Sequence, residues 1–455
     1  MAIALDSGYP EDRGAGSFAG QQHLTVFGRR REPAQERPFQ QAGPHAHIPA
    51  AIARDAASDK LGASEHPAAA LGGAAARTDD PGDFDPCLIK ESFAHVTENS
   101  EAAMEYFYAR LFVHYPQMRS MFPHAMRDHM ERVFTALTRI ATTIDSPDSL
   151  AVYLAQLGCG HRKFGAKERH YEPFIAVLVD TVRYFSAHHW TDETQAAWET
   201  ALGRATKVML AAAEDDAARQ PSWWVGEIVQ HDRRGPDLAV LTIRPDQSLR
   251  YTPGQYLAVQ VPRWPRVWRN FSIANAPREN GLIDLHVRAV PGGLVSGSLV
   301  HNTWPGDTLL LGRAQGEMTL PTGLDRDLLC IAGGTGLAPL KAIIEGVLRA
   351  GGPFWRRKIS LWFGARTEQD LYDLPDLRVL EGICPGLKVI PVVSHQPEFV
   401  GMKGMLSDVT AQCASCEDRE IFVSGPDRMV RETARRLASR VGAGRIRHDP
   451  PDAAR

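Results

Sequence analysis

The spacing of apolar residues changes twice along the chain, and each spacing restricts the fold of its segment. Over residues 85–218 the apolar positions recur with a period close to 3.6 residues and almost no strand pattern, which predicts an all-helical domain. Beyond residue 221 the period changes to two, which indicates the strands of a small antiparallel barrel. From residue 327 short apolar runs alternate with helical stretches, a pattern typical of a parallel sheet covered on both faces.

These two changes, together with an N-terminal extension that has no apolar period, divide the chain into four segments. We predict an all-α domain over 83–220, an antiparallel β-barrel domain over 221–322 and an α/β domain with a parallel sheet over 323–455. Residues 1–82 are rich in Ala, Gly, Pro, Arg and His and have few apolar positions. We expect this extension to be disordered, because it cannot bury enough apolar surface to offset its chain entropy.

Two sets of strands follow from the patterns. The barrel strands are expected at about 223–231, 238–244, 255–261, 269–274, 282–290 and 307–312. The parallel strands are expected at the apolar runs Leu328–Ala332, Ile359–Phe363, Lys388–Val393 and Ile421–Val423. Because the second set does not alternate between apolar and polar residues, its strands should be buried on both faces.

The composition argues against several classes of function. A formal net charge of −3 over 455 residues gives no electrostatic reason to expect nucleic acid. The chain has no recognisable signal peptide or long apolar run, and its six cysteines are scattered. We therefore expect a cytoplasmic protein without a membrane span. Its expected partners are small molecules, and nothing in the sequence requires an obligatory protein partner.

Two polar ring side chains lie on apolar stripes of the helical domain. His161 continues the stripe of Leu154 and Leu157 at spacings of three and four, so its imidazole should face the core. Such an imidazole is either a hydrogen-bonded core histidine or a metal ligand. Tyr108 also lies on an apolar stripe, and its hydroxyl needs a partner there.

The helical domain resembles the globin domain of flavohaemoglobins. The motifs that carry the resemblance are Phe107–Phe112, Met121–Pro123, Leu157–His161 and His170–Tyr171. The resemblance implies haem b, with His161 as the proximal iron ligand and Tyr108 donating a hydrogen bond to oxygen bound at the iron. It also implies that Phe122 wedges the porphyrin and that His129 and Val133 face the distal pocket. The family more often has Gln at the position of His129.

The resemblance further implies hydrogen-bonded partners behind the proximal ligand. Family members use a tyrosine and a carboxylate from the last helix, which make the imidazole more basic. Tyr171 matches the tyrosine. Glu214 and Asp215 both lie near the position of the carboxylate, and the sequence does not choose between them. Two solvated carboxylates at a helix end are the alternative interpretation.

A second group of motifs lies on the predicted barrel strands. Arg269–Ser272 follows Pro253–Tyr256 in the chain, and Gly292–Ser296 comes next. An arginine can bind a diphosphate, an aromatic ring can pack on a flavin, and a hydroxyl can hydrogen-bond the flavin edge. In this order the motifs resemble the FAD domain of the ferredoxin-reductase family. The resemblance assigns FAD binding to Arg269, Phe271, Ser272, Gly293, Val295 and Ser296.

A glycine-rich turn follows the first apolar run of the α/β domain. Ala332–Pro339 lies between a predicted strand and a helical stretch, where backbone N–H groups can cradle a pyrophosphate. The turn resembles the nicotinamide domain of the same reductase family, as do Gly364–Thr367 and Ser424–Asp427. This resemblance assigns NAD(P) binding to Gly333, Gly334, Thr335, Gly336, Arg366, Ser424, Gly425 and Pro426. The choice between NADH and NADPH stays open.

The order of the three domains favours one function. The flavohaemoglobin resemblance implies that NAD(P)H reduces FAD, that FAD reduces the haem, and that nitric oxide and O2 become nitrate. The expected enzyme is a nitric oxide dioxygenase. Two alternatives stay open: haem-based reduction of peroxides or of nitric oxide, and an oxygen- or redox-sensing globin that its own reductase resets.

Overall fold

The structure is a computed structural model that describes residues 84–321, 323, 326–350, 357–411 and 416–449. The predicted disorder of residues 1–82 concerns residues outside these ranges. Within the described ranges, no helix combines the length and the apolar character needed to cross a membrane.

The first described domain is helical, as predicted. Its α-helices are α1 (Pro86–Glu98), α2 (Ser100–His114), α3 (Arg127–Thr142), α4 (Pro147–His161), α5 (Tyr171–Phe185) and α6 (Asp192–Arg219). Side-chain caps begin two of them: the Asp85 carboxylate accepts from the backbone N–H of Cys87 at α1, and the Thr191 hydroxyl caps α6. The apolar stripes meet in a core that includes the fully buried Phe107 and Leu111.

The second domain is the predicted antiparallel barrel. Its strands are β1 (Trp224–Arg233), β2 (Leu238–Pro245), β3 (Tyr256–Gln260), β4 (Arg269–Ser272), β5 (Ile283–Arg288) and β6 (Thr308–Gln315). Their order is β4-β3-β6-β1-β2-β5, and a bridge between Ile273 and Leu285 joins the two edges. Helix α7 (Leu294–His301) follows β5. Alternate residues such as Leu241 and Ile243 fill the interior.

The third domain is a parallel sheet with helices. Its strands are β7 (Leu328–Gly333), β8 (Ile359–Ala365), β9 (Leu387–Val393), β10 (Met402–Lys403), β11 (Glu420–Ser424) and β12 (Ile446–Arg447). Their order is β10-β9-β8-β7-β11-β12, and the described pairings are all parallel. The helices are α8 (Leu337–Ala350), α9 (Leu374–Ile383), α10 (Leu406–Ala411) and α11 (Asp427–Val441). The predicted fold class is confirmed.

A buried polar interface joins the barrel to the parallel-sheet domain. His286 Nδ1 on β5 lies 2.7 Å from the hydroxyl of Tyr372, and both side chains are buried. Arg234 Nη2 donates to Asp376 on α9 at 3.0 Å. Such specific, directional contacts hold the flavin and nicotinamide motifs in a defined relative position.

Candidate functional site

The motif residues of the helical domain converge from α2, α3 and α4 on one region, termed the pocket. The ring centroid of the buried Tyr108 lies 5.7 Å from that of His129 and 5.5 Å from that of Phe122. Val133, one turn after His129 on α3, is partly buried against the same core. Among the described side chains, the Tyr108 hydroxyl and His129 Nε2 are buried without a hydrogen-bond partner. Such atoms are costly unless a ligand satisfies them.

Burial controls protonation in this pocket. It lowers the pKa of His161 to about 4, and the charge of Lys163 adds to the effect. Burial also lowers the pKa of His129 to about 4, with smaller contributions from Arg132 and His161. Both imidazoles are therefore neutral at pH 7. Burial raises the pKa of Tyr108 well above its usual range, so its hydroxyl stays protonated and can donate.

His161 is oriented by a tyrosine. It is the last residue of α4, and its Nδ1 lies 3.1 Å from the hydroxyl of Tyr171, the first residue of α5. A proton on Nδ1 that is donated to this hydroxyl leaves the lone pair of Nε2 free, which is the form that binds a metal.

The two carboxylates predicted behind His161 do not lie there. Glu214 and Asp215 are exposed on α6, so the expectation that one of them accepts from His161 is wrong. The buried carboxylate of α6 is Asp216, and it contacts Arg162 and Arg313. The helical rotation of 100° per residue turns Asp216 inward. The signal for it was its spacing of seven from the buried Met209, two turns along the same face.

The edge of the pocket next to the barrel is positively charged. Arg132 follows His129 by one turn on α3, and Lys163 Nζ lies 5.5 Å from the ring of Trp268. Arg269 on β4 pairs with Asp128 of α3 at 2.7 Å. Burial and then the charge of Arg269 lower the pKa of Arg132, and burial and then Arg132 lower that of Lys163 to about 8. These cations therefore repel one another, which suits a site for an anion.

The flavin motif lies on the barrel where the sequence predicts it. Arg269 and Ser272 are the ends of β4, with Phe271 partly buried between them. The hydroxyl of Ser296 accepts from the backbone N–H of Val290 at 3.3 Å. A Cβ at Gly293 would overlap the Ser296 hydroxyl, so a larger residue at this position would displace that hydroxyl. The side chain of Val295 packs into the barrel core, which leaves only its backbone N–H for a cofactor.

The glycine-rich turn approaches a neighbouring strand closely. β7 pairs with β11, and a Cβ at Gly336 would overlap the backbone of Ser424 and Gly425. Gly334 has a left-handed φ of 55°, which glycine adopts without strain. The turn leads directly into α8 at Leu337, so backbone N–H groups at the helix start are available to a phosphate.

The other nucleotide motifs end neighbouring strands. Arg366 follows β8 and is exposed, and its carbonyl oxygen accepts from His395 N at 2.8 Å. Thr335 lies in the turn after β7, and Pro426 stands immediately before α11. Because the described strands of this sheet run parallel, these residues share its carboxyl edge, where open α/β folds bind ligands.

Family models match three consecutive parts of the chain. A globin model matches residues 105–209, an oxidoreductase FAD-binding domain matches 227–319 and an oxidoreductase NAD-binding domain matches 330–435. These matches coincide with the helical, barrel and parallel-sheet domains.

Known proteins resemble the chain in part or in fold. It is 32% identical over 222 residues to the xylene/toluene monooxygenase electron transfer component of Pseudomonas putida. This match covers 48% of this chain and 62% of that protein, so the chain spans less than two thirds of that relative's length. The chain is 26% identical over 277 residues to a flavohemoprotein of Bordetella pertussis, a match that covers 57% of this chain and 69% of that protein. A solved flavohemoglobin from Malassezia yamatoensis with bound FAD and heme superposes with a TM-score of 0.67 at 15% identity, and the match covers 79% of this chain and 97% of that one. The last likeness shows a shared fold.

Proposed function

We propose that this chain, which belongs to the flavohaemoglobin family by its globin, FAD-binding and NAD-binding domains, is a nitric oxide dioxygenase. The proposed reaction converts two NO and two O2 to two nitrate ions, and it oxidises one NAD(P)H to NAD(P)+ with release of one proton. The observation that carries the proposal is that two polar atoms of this pocket, the Tyr108 hydroxyl and His129 Nε2, are buried without a hydrogen-bond partner among the described residues.

The pocket has the residues that a haem needs. His161 would bind the iron through Nε2, while its Nδ1 is engaged by Tyr171 at 3.1 Å. Phe122 supplies an aromatic wall. The carboxylates of a haem must be paired or solvated, and Arg132 and Lys163 would hold them, one from the distal helix and one from the turn after the proximal helix.

The barrel and the parallel sheet have the residues that the other two cofactors need. Arg269 would bind the FAD diphosphate, and Phe271 and Ser272 would contact the flavin. The turn before α8 and the neighbouring residues Ser424 and Gly425 form a narrow glycine cradle, which would hold the pyrophosphate of NAD(P).

The bound groups supply hydride donation by the nicotinamide, storage of the electron pair by FAD, and one-electron chemistry with O2 and NO at the haem iron. The chain's own residues control that chemistry. Tyr108 would donate a hydrogen bond to a bound ligand, because burial keeps its hydroxyl protonated. Neutral His129 can accept or donate at Nε2. Tyr171 orients His161, and the apolar lining excludes water.

The test is the yield of nitrate from the purified full-length chain. We expect a Soret band that changes to a ferrous form when NADH is added under argon, and two nitrate ions per NAD(P)H when NO and O2 are supplied together. Oxygen binding without turnover would favour the alternative of an oxygen- or redox-sensing globin. Consumption of NO or peroxide without O2, at a rate above that of nitrate formation, would favour the alternative of haem-based reduction of NO or peroxide.

The variant Tyr108→Phe links this activity to the pocket. A hydrogen bond to a group that carries charge is worth about 1.5–3 kcal/mol, so we expect oxygen to dissociate about 10–100-fold faster. Reduction of ferricyanide by NAD(P)H, which needs only the flavin, should not change. An unchanged rate of oxygen dissociation would refute the role given to Tyr108.

A further inference from the structure

A buried carboxylate at the end of the globin domain contacts the barrel. Asp216 on α6 is only 3% exposed, and its Oδ1 lies 3.1 Å from Nη1 of Arg313 on β6. Its Oδ2 accepts a hydrogen bond from Nη1 of Arg162. Gln220 Nε2 also donates to Asp216 Oδ1, at 2.6 Å. One carboxylate therefore joins an arginine of the globin domain to an arginine of the barrel.

The globin arginine of this network is next to His161. Arg162 Nη2 donates to the carbonyl oxygen of Gln220 at 2.9 Å, so the end of α4 is tied to the segment that leads into the barrel. On the other side, Arg313 lies on β6, which pairs with β3. β3 in turn pairs with β4, the strand of Arg269. The network therefore connects the helix of His161 to the strands of the flavin motif.

Three other contacts across this boundary do not involve a buried carboxylate. The Asp128 carboxylate that pairs with Arg269 is 66% exposed, and exposed ion pairs are screened by water and salt. The rings of Phe164 and Trp268 are 6.4 Å apart, and Lys163 Nζ lies 5.5 Å from the Trp268 ring without a paired carboxylate among the residues that the structure describes. Asp216 differs because loss of a buried carboxylate leaves two guanidinium groups facing each other without their shared partner.

We infer that Asp216 is a positioning residue that fixes the globin domain against the FAD barrel, so that electrons pass from flavin to haem. The inference rests on the proposed function for the presence of both groups. Its physical basis is that a buried, multiply hydrogen-bonded carboxylate defines direction as well as distance. A displacement of about 1 Å at a reacting pair can cost about a hundredfold in rate.

The test uses the full-length chain with FAD and haem bound. In Asp216→Asn, which keeps the shape and removes the charge, we expect haem reduction by NAD(P)H to slow at least tenfold. Reduction of ferricyanide should stay within twofold, because it does not need the globin. The spectrum of the dithionite-reduced haem should be unchanged, since Asp216 does not touch the pocket. Hydrogen exchange of the backbone at 220–226 should increase.

Two further sets of variants control the experiment. Asp180→Asn removes a carboxylate that pairs with Arg110 on the surface of the same domain, and it should change none of these readouts. Arg313→Lys keeps a charge for Asp216 and should retain most of the haem reduction, whereas Arg313→Met should behave like Asp216→Asn. The comparison of Arg313→Lys with Arg313→Met serves as the test if Asp216→Asn fails to fold.

Two results would overturn the inference. One is haem reduction at the normal rate in both Asp216→Asn and Arg313→Met. The other is an equal loss of haem and ferricyanide reduction, which would make Asp216 a general stability residue. Failure of the proposed function is a separate outcome, because the unaltered chain would then reduce its haem without forming nitrate.

Discussion

Replacing Gly158 by alanine should destabilise the haem pocket, although the same change two residues later should stabilise it. Gly158 lies on α4 against α6, and a Cβ there would be 2.7 Å from the carbonyl carbon and Cα of Met209 and closer still to its carbonyl oxygen. Carbon atoms in contact are about 3.5–4.0 Å apart, so the helices must separate by about 1 Å. The obstructing atoms are backbone atoms, and no side-chain rotation relieves them.

The two substitutions differ in their free energies of unfolding. Overpacking costs about 1–3 kcal/mol, and the rigid partner of Gly158 favours the upper end. Alanine gains about 0.5–1 kcal/mol over glycine within a helix, which leaves Gly158→Ala about 2 kcal/mol less stable. A Cβ at Gly160 has no neighbour within 4 Å, so Gly160→Ala keeps only the gain.

The measurement is thermal loss of the Soret band in the full-length chain, with release of FAD fluorescence as a separate record of the barrel. At about 2–4 °C per kcal/mol, the Soret midpoint should fall by about 4–8 °C in Gly158→Ala and rise by about 1–4 °C in Gly160→Ala. The flavin midpoint should not move in either variant. A rise in Gly158→Ala would refute the close approach of α4 and α6.

Three further predictions test other parts of the molecule. His161→Ala should abolish haem retention and leave FAD bound, measured as the ratio of Soret to flavin absorbance, because the two sites have separate cores. Arg132→Ala should speed the loss of haem but not of haem dimethyl ester, which lacks the carboxylate charges. The control is Arg127→Ala, because the Arg127 side chain is 89% exposed. Equal effects of Arg132→Ala on the loss of both haems would contradict the charge pairing. Burial lowers the pKa of His286 to about 3, so the imidazole is neutral in the fold and protonation favours unfolding. The free energy of unfolding should therefore be retained above pH 6.5 and fall by up to about 1.4 kcal/mol per pH unit as the pH decreases from 6.5 to 3. Melting curves at several pH values should show a weaker dependence of stability on pH in His286→Asn.

The sequence alone determined the three domain types and most of the site motifs. Hydrophobic period is a local property, so helices, alternating strands and buried parallel strands could be recognised segment by segment. The observed barrel strands begin and end within three residues of their predicted positions. His161, Tyr108 and the glycine-rich turn could be found because each motif is short and lies at the end or on one face of a single element.

Only the tertiary structure decided which side chains meet across those elements. The helical period puts Asp216 on the face of Met209, but only the packing of α6 shows that this face stays buried to residue 216 and that Glu214 and Asp215 are exposed. Arg162 and Arg313 are far apart in sequence and share one carboxylate only because the two domains dock. Pairings between distant residues depend on the summed geometry of every helix and strand between them, which no local pattern encodes.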